Sequence, residues 1–572
     1  FTGAYWKWLK EFNFNLLPAS ISLNSNITRN FNQQKFREVF TEESAGQLGL
    51  PLLQQRNFLF DWQYAINYTL SKSLRLNFTA SNYRIVKNYF EEDAMGNLVI
   101  QQDLGIWDGF WDTGDANRYT TQLQLNYELP LNKIPLFSFV DASYTYTGNF
   151  DWQRGSAVLE ELSGGQINTI QNANTHTLNG SLSMSRLYDY IGISRKKGNS
   201  GKNANAVRQN KEQQNKDRQD KNQPQQKESK VLNTLSDIVT MVKRININYS
   251  ENNGKVLPGY TESVGFAGTF RPSWNFIFGS QSDVRFEMAR KGWLTRFPEF
   301  NQQYMQQHNT SLNVSANVEP LRDLTIDVVT ERLYSDSYTE NFRVNDLGAG
   351  AFEYENLLGN RFGNFSISAL LIGTAFRKTD SEFSEAFETF KANRLAIANR
   401  LALQRGIDIT DPAFLDSEGY PLGYGRNNQA VLLPAFIAAY TGKNADAVTL
   451  GAFRDIPLPN WTVQYTGLMR IKWFQKQFKR FSLGHAYRAS YSLNSFRTNL
   501  EFDPQNPDET DLSGNFRNPT LYTNATLVEQ FSPLVKVDFE TQSSFNVLAE
   551  IKRDRALSLS FDNNLLTEIT GK

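Results

Sequence analysis

The chain has 572 residues, with 59 lysines and arginines against 59 aspartates and glutamates, so its formal net charge is zero. This balance lacks the positive field that nucleic-acid-binding proteins carry, and we expect no nucleic acid partner. The absence of cysteine from these residues excludes disulfides and thiolate metal sites. The absence of any apolar run of about 18 residues excludes a transmembrane helix.

The clearest predicted strand lies between residues 57 and 70, after a first one at 20–31. Large apolar side chains occupy every second position, and mostly polar ones stand between them. Successive side chains of a strand point to opposite faces, and the run of about 13 residues exceeds the roughly 9 to 11 that cross a bilayer. We predict a membrane strand with lipid-facing Phe58, Phe60, Trp62, Tyr64, Ile66 and Tyr68, and lumen-facing Asn57, Asp61, Gln63 and Asn67.

Short turns and long loops alternate along the chain. Tight turns are predicted at 71–73, 130–135 and 320–323, and long polar connections separate the hairpins that they close. This asymmetry, with aromatic residues near the strand ends, is typical of bacterial outer-membrane barrels. A soluble β-sandwich would also alternate, but strand length and loop asymmetry favour the barrel. Further strands are predicted at 74–80, 119–129, 136–146, 176–193, 244–250, 266–278, 310–319, 324–338, 365–376, 461–473, 481–500, 534–539 and 557–561.

The loop from residue 101 to 119 is acidic and aromatic. Its carboxylates are suited to calcium and its rings to sugar or a protein partner, although a loop that only packs on its neighbours is the simpler interpretation. The residues concerned are Asp103, Asp108, Asp112 and Asp115, with Trp107, Phe110 and Trp111 as candidate contacts for partner or cargo.

Two segments break the strand pattern. Residues 195–230 carry 11 basic against 4 acidic side chains without periodicity, which predicts a disordered basic insert on the periplasmic side, followed by a short helix at 231–242. Residues 381–405 have helical periodicity, and the apolar, proline-containing stretch after them predicts a folded insert over 381–460, extracellular or covering the pore. Within and beside it, Phe436, Tyr440 and Trp461 are candidate partner or cargo contacts. Residues 1–194, 231–380 and 461–572 are assigned to barrel strands and loops.

The sequence offers no catalytic pattern. His176, His308 and His485 lie far apart, and no pair has the i, i+4 spacing that holds zinc on a helix. We therefore expect no enzyme, no metal site and no cofactor. Residues 1–12 lack the features of a signal peptide, so we expect this chain to be an internal or mature piece of a longer precursor.

Several short segments of the sequence resemble one family, the SprA/Sov outer-membrane translocon of the type IX secretion system. They are residues 14–25 (FNLLPASISLNS), 275–279 (NFIFG), 434–443 (PAFIAAYTGK), 456–461 (IPLPNW), 485–491 (HAYRASY), 531–534 (FSPL) and 555–561 (RALSLSF). The resemblance covers the C-terminal part of that family and lacks its long N-terminal portion and its last strands.

The resemblance implies a very large single-chain barrel in the bacterial outer membrane. It implies export of folded cargo proteins that carry a C-terminal sorting domain, in contact with outer-membrane lipid, a PorV-like shuttle barrel and a periplasmic plug protein. Two other functions stay open at this point: a nutrient transporter gated by an internal plug, and a secreted β-sandwich that binds glycans through Trp107 and Trp111.

Overall fold

One antiparallel sheet of 15 strands dominates the computed structural model, which describes residues 14–36, 53–86, 90–92, 98–100, 106–193, 240–380 and 382–571. The strands are β1 Ser20–Gln34, β2 Leu53–Thr69, β3 Leu74–Ile85, β4 Phe90–Glu92, β5 Leu98–Ile100, β6 Asp115–Leu129, β7 Val140–Gln153, β8 Asn168–Ser183, β9 Val242–Tyr260, β10 Tyr304–Leu321, β11 Leu324–Gly348, β12 Ala351–Ser368, β13 Asn460–Tyr465, β14 Phe478–Thr498, β15 Thr520–Thr541, β16 Asn546–Ser560 and β17 Leu565–Gly571. They follow chain order across the sheet, except that β4 and β5 form a separate ribbon. The predicted all-β antiparallel fold class with loop insertions is confirmed.

The helices of the described residues lie in connections between strands. They are α1 Ala157–Ser163, α2 Met184–Tyr190, α3 Trp274–Ile277, α4 Arg285–Arg290, α5 Glu385–Gln404, α6 Gln429–Thr441 and α7 Lys472–Gln477. Within the described residues, none of them is both long and apolar enough to span a membrane. The predicted helix at 381–405 is confirmed as α5, which begins after Ser384, whose hydroxyl accepts a hydrogen bond from the Phe387 amide.

The pairing register divides the sheet into two chemically different faces. Trp62 pairs with Asn82 of β3, Asn82 with Tyr119 of β6, and Tyr119 with Trp152 of β7. These residues share the face of the aromatic stripe of β2, which we call the stripe face. The alternate residues, such as Asp61, form the other side, which we call the polar face. Several strands are long: β11 has 25 residues and β15 has 22. Both are longer than a strand needs to be to cross a bilayer, which takes about 9 to 11 residues.

Most predicted strands are confirmed, but three predictions are wrong over part of their range and a fourth is wrong over all of it. Strand β8 ends at Ser183 and α2 follows, β12 ends at Ser368, and β13 ends at Tyr465 before α7. The fourth, at 266–278, contains no strand: it is a loop that ends in α3, and it belongs to an insert formed by residues 261–303. The predicted basic insert at 195–230, and most of the predicted helix after it, lie outside the described residues.

One strand position in the sheet is interrupted by a long excursion of the chain. Strands β12 and β13 both pair with β11 and with β14, one after the other along the same line. Ile367 pairs with Arg332, so Ser368, the last residue of β12, lies opposite Glu331. Asn460 pairs with Val329, so a single position, opposite Thr330, separates the two strands. The amide of Leu458 donates to the carbonyl oxygen of Ser368 at 3.0 Å. Residues 369–459 therefore leave the sheet and return to it at almost the same point.

The two faces and their inserts

The polar face carries mostly uncharged hydrogen-bonding side chains from strand to strand, together with the ion pair of Arg118 and Asp151. These side chains bond across the strands: the Gln122 amide donates to Asn149 at 3.0 Å, Thr175 donates to Asn252 at 2.8 Å and Ser181 donates to Asn246 at 3.0 Å. The same pattern returns beyond β11, where the Asn494 amide donates to the Thr526 hydroxyl at 3.1 Å. Because these groups satisfy one another and retain further donors and acceptors, the polar face presents a hydrated surface without a dominant charge.

The predicted lumen-facing residues lie on this polar face. Asn57, Gln63 and Asn67 are exposed, and Asp61 is partly exposed. The Asn26 amide donates to Asp61 at 3.4 Å, and the Asn67 amide donates to the Ser20 hydroxyl at 2.9 Å. These contacts fit the polar network, and whether the face lines a lumen stays a prediction.

The insert of residues 261–303, the first insert, lies against the stripe face. Stripe-face side chains on adjacent strands donate to its backbone carbonyl groups: Asn82 to Gly265 at 3.2 Å, Asn174 to Gly279 at 2.8 Å and Trp152 to Glu262 at 3.0 Å. An irregular segment buried against a sheet needs such donors, because its carbonyl groups have no strand partner. This network explains why a segment with the composition of a strand is held as a loop.

A buried charge cluster fixes α4 of the first insert to the sheet. Arg285 of α4 forms an ion pair with Glu340 of β11, whose side chain is fully buried, and Arg285 also bonds Asp283 at 2.7 Å. The hydroxyl of Tyr354 donates to Glu340 at 2.6 Å. Burial raises the pKa of the Asp283 carboxyl, but the hydrogen bonds and charge of Arg285 outweigh it, and the net pKa is lowered. The carboxylate of Asp283 is thus held charged beside the guanidinium.

The insert of residues 369–459, the second insert, lies against the same stripe face and is fixed in a similar way. Arg555 of β16 pairs with Glu529 of β15 at 3.0 Å, and both side chains are buried. Arg555 also donates to the Thr374 carbonyl oxygen at 3.0 Å, while the Tyr487 hydroxyl donates to Glu529 at 2.9 Å and accepts from the Leu371 amide at 2.7 Å. Each insert is therefore anchored by an arginine and a glutamate that are removed from water.

The predicted lipid-facing stripe is corrected at two positions. Phe58 and Trp62 are 3% and 5% exposed, so they do not face lipid. The guanidinium of Arg29 lies 4.6 Å from the Phe58 ring centre, and the Trp62 ring lies 6.0 Å from Phe266 of the first insert. The sequence of β2 could not reveal this cover, because the covering residues come from segments distant in the chain.

The rest of the stripe is partly buried. Phe60 contacts Phe266 at 6.0 Å between ring centres, and Tyr64 stacks on Trp62 at 5.4 Å. The Tyr68 hydroxyl donates to the Asn15 carbonyl oxygen at 2.8 Å, and Ile66 pairs with Phe78 across β3. These four residues share the stripe face, and their contact with lipid stays a prediction.

The candidate partner and cargo contacts separate into exposed and buried residues. Trp107 and Trp111 are largely exposed, and Phe110 packs between them with ring centres at 5.8 and 5.1 Å. Phe436 and Tyr440 are fully buried in α6, and Trp461 stacks on Tyr487 at 4.6 Å in the sheet. The prediction of Phe436 and Tyr440 as partner or cargo contacts is wrong, because both side chains are buried. Trp461 is partly exposed, and its role as such a contact stays a prediction. In α6 the apolar residues surround the helix, which is typical of a buried helix.

We expect Gly148→Val to loosen the first insert. A Cβ at Gly148 would lie 2.2 Å from the Phe278 carbonyl oxygen, so a larger side chain must push the insert off β7. Overpacking of this kind destabilises by about 1 to 3 kcal/mol, measurable as faster hydrogen exchange of the α3 amides. Gly180→Val is the matched control on the same face, because its nearest neighbour lies 3.8 Å from the added Cβ. Equal exchange in both variants would contradict the close approach.

Comparison with known proteins gives matches only among solved structures, since no family model and no curated protein matches the chain. Pseudomonas aeruginosa FpvA bound to heterologous pyoverdines has 6% identity and a TM-score of 0.20, with 90% of this chain and 57% of FpvA covered. CdiB from Acinetobacter baumannii has 6% identity and a TM-score of 0.16, with 96% and 64% covered. The ferric yersiniabactin uptake receptor FyuA from Yersinia pestis has 8% identity and a TM-score of 0.18, with 96% and 66% covered. The chain thus spans less than two thirds of each of these longer chains.

Proposed function

We propose that the chain forms part of the wall of an outer-membrane channel, with its polar face toward a water-filled lumen and part of its stripe face toward lipid. The supporting observation is the polar face, on which Asn, Gln, Ser and Thr side chains bond to one another across many strands. A lumen lined by such groups lets polar cargo pass without strong binding, because no large field of one charge is present. Strand length supports the same proposal.

The uncovered part of the stripe face supports contact with lipid. Leu178 pairs with Tyr144 and with Tyr249, and Val314 pairs with Ile247, so apolar side chains continue across β7 to β10. This band is apolar, as lipid contact requires. In the proposed arrangement, both inserts lie outside the barrel.

The finer proposal is a protein-conducting channel of the type IX secretion pathway. This proposal is supported by the resemblance of the segments 434–443 and 485–491 to the SprA/Sov family. Folded cargo with a C-terminal sorting domain would pass through the lumen, with a PorV-like shuttle barrel, a periplasmic plug protein and outer-membrane lipid as partners. Depleting the protein in its native bacterium would leave such cargo in the periplasm, and purification in detergent would recover the partners. Normal cargo export after depletion would overturn this proposal.

A plug-gated nutrient transporter is the second candidate, and the two inserts favour it if the faces are reversed. Were the stripe face the inner one, residues 261–303 and 369–459 would fill the lumen as a plug does. The glycan-binding sandwich has no support. Apart from the β4–β5 ribbon, the described strands form one sheet and not two packed sheets.

Cysteine labelling distinguishes these assignments, because the 572 residues contain no cysteine of their own. We expect Asn179→Cys and Asn313→Cys, on the polar face, to react in reconstituted membranes with a charged, water-soluble maleimide. Their strand neighbours Leu178→Cys and Val314→Cys should resist that reagent. After labelling with a small fluorophore, the neighbours should be quenched by nitroxide-labelled lipid. The reverse pattern would place the inserts inside the lumen and favour the plug-gated transporter.

A further inference from the structure

A mostly apolar cavity lies between the second insert and the stripe face, beside the interrupted strand position. Its volume is about 390 Å³, which falls in the range of small-molecule sites, and such sites combine apolar walls with a few polar groups. The apolar part of its lining comes from the end of β12, from α6, from the loop after α6 and from the sheet. These residues are Ile367, Ile437, Val448, Phe453, Tyr491 and Leu527.

A cation without a counter-charge borders this cavity. The Nη2 atom of Arg454 is buried and has no hydrogen-bond partner, and burial lowers the pKa of Arg454. Asp455 also lines the cavity, but its side chain is 93% exposed and lies 3.7 Å from Arg332. The Tyr491 hydroxyl is engaged elsewhere, because it donates to the Ala452 carbonyl oxygen at 3.0 Å. Arg454 is partly exposed as a residue, so the part removed from water is the Nη2 end of its guanidinium. Burying an unpaired charged donor is unfavourable unless an anion accompanies it.

Apolar and cationic groups also lie together at the opening of the cavity. Lys443 and Thr449 line the cavity and are exposed to solvent, so the cavity reaches the surface beside an ammonium group. Ile456 also lines it and is largely exposed. A ligand that fills the site must therefore supply an apolar body, and an anion within reach of Arg454 and Lys443.

We propose that this cavity binds the acyl chain of an anionic amphiphile, whose carboxylate or phosphate pairs with Arg454. The hydrocarbon would replace empty space against Ile437 and Leu527, and the anion would accept a hydrogen bond from the buried Nη2 atom of Arg454. Free fatty acids and lysophospholipids share this chemistry. The site is independent of the channel proposal, because it requires only the packing of the second insert on the sheet.

The test uses the full chain, purified in amphipol, and cis-parinaric acid, a fluorescent fatty acid. We expect saturable binding that Arg454→Gln weakens about tenfold or more, since a charge-assisted hydrogen bond contributes enough for such a change. Arg426→Gln is the matched control, because Arg426 of the same insert is exposed and paired with Glu418 at 2.9 Å. Thr449→Trp, at the exposed opening, should abolish binding by filling it.

Competing ligands identify the anion. Palmitate that displaces the probe better than lysophosphatidic acid would indicate a carboxylate ligand, and the reverse order a phosphate ligand; either order supports the site. Palmityl alcohol has the same chain without the charge and should compete at least about tenfold less well than palmitate. Equal competition by the alcohol, equal binding by the Arg454 and Arg426 variants, or absence of saturable binding would overturn the proposal. The test is unaffected if the faces of the sheet prove reversed.

Discussion

Arg285→Met is expected to detach α4 of the first insert from the sheet. Loss of the Arg285 guanidinium leaves the fully buried carboxylate of Glu340 without a cation. Removing one partner of a buried ion pair destabilises by about 3 to 5 kcal/mol. The hydroxyl groups of Tyr338 and Tyr354 would still donate to Glu340, but two neutral donors do not replace a charge. Hydrogen exchange of the α4 amides, measured by mass spectrometry, reports the loss as a lower free energy of local opening.

An exposed ion pair of the same segment provides the control. Arg296 pairs with Asp346 at 3.1 Å, and both side chains are about half exposed, so Arg296→Met should cost no more than about 1 kcal/mol. Adding Glu340→Gln to Arg285→Met removes the unpaired charge, and we expect most of the protection of α4 to return. If the double variant is as unprotected as Arg285→Met alone, then charge burial is not the cause.

Phe436→Ala is expected to unfold the second insert locally and not merely to remove a surface contact. Phe436 is fully buried, and its ring packs against Phe390 of α5 at 6.3 Å and against Tyr440 at 5.2 Å between centres. Truncating a buried phenylalanine destabilises by about 3 to 5 kcal/mol through lost burial and the cavity left behind. Faster exchange of the amides in α5 and α6 would measure this loss.

Phe414→Ala is the matched control in the same insert. Phe414 is partly exposed, and such substitutions usually change stability by less than about 0.5 kcal/mol. Unchanged protection of α5 and α6 in the Phe436 variant would mean that the ring does not support the insert. The prediction of Phe436 as a partner or cargo contact would then regain its basis.

Alternation along single strands was sufficient to predict the sheet. The pattern from Phe58 to Tyr68 depends only on side-chain direction, which the backbone of a strand imposes, and the polar residues between them do lie together on one face. The tight turn at 71–73 was also predictable, because the Ser71 hydroxyl accepts from the Leu74 amide within the turn itself. Features that a few neighbouring residues determine can be read from the sequence.

The packing of the two inserts on the stripe face could not be predicted in this way. Residues 266–278 have the composition of a strand, and donors from distant strands, such as Asn82 to the Phe266 carbonyl oxygen and Asn172 to the Phe276 carbonyl oxygen, hold them as a loop. Arg285 and Glu340 are ordinary charged residues in the sequence, and only the fold brings them together away from water. One signal was available for the second insert: the apolar residues of α6 surround the helix, as in a buried helix and not in a surface loop.

The interrupted strand position makes the second insert separable from the sheet. Only the position opposite Thr330 lies between Ser368 and Asn460, so one residue joining β12 to β13 would complete a continuous strand in place of residues 369–459. Such a deletion removes the whole second insert without changing the pairing register of the neighbouring strands. We therefore expect a chain shortened in this way to keep the same strand order.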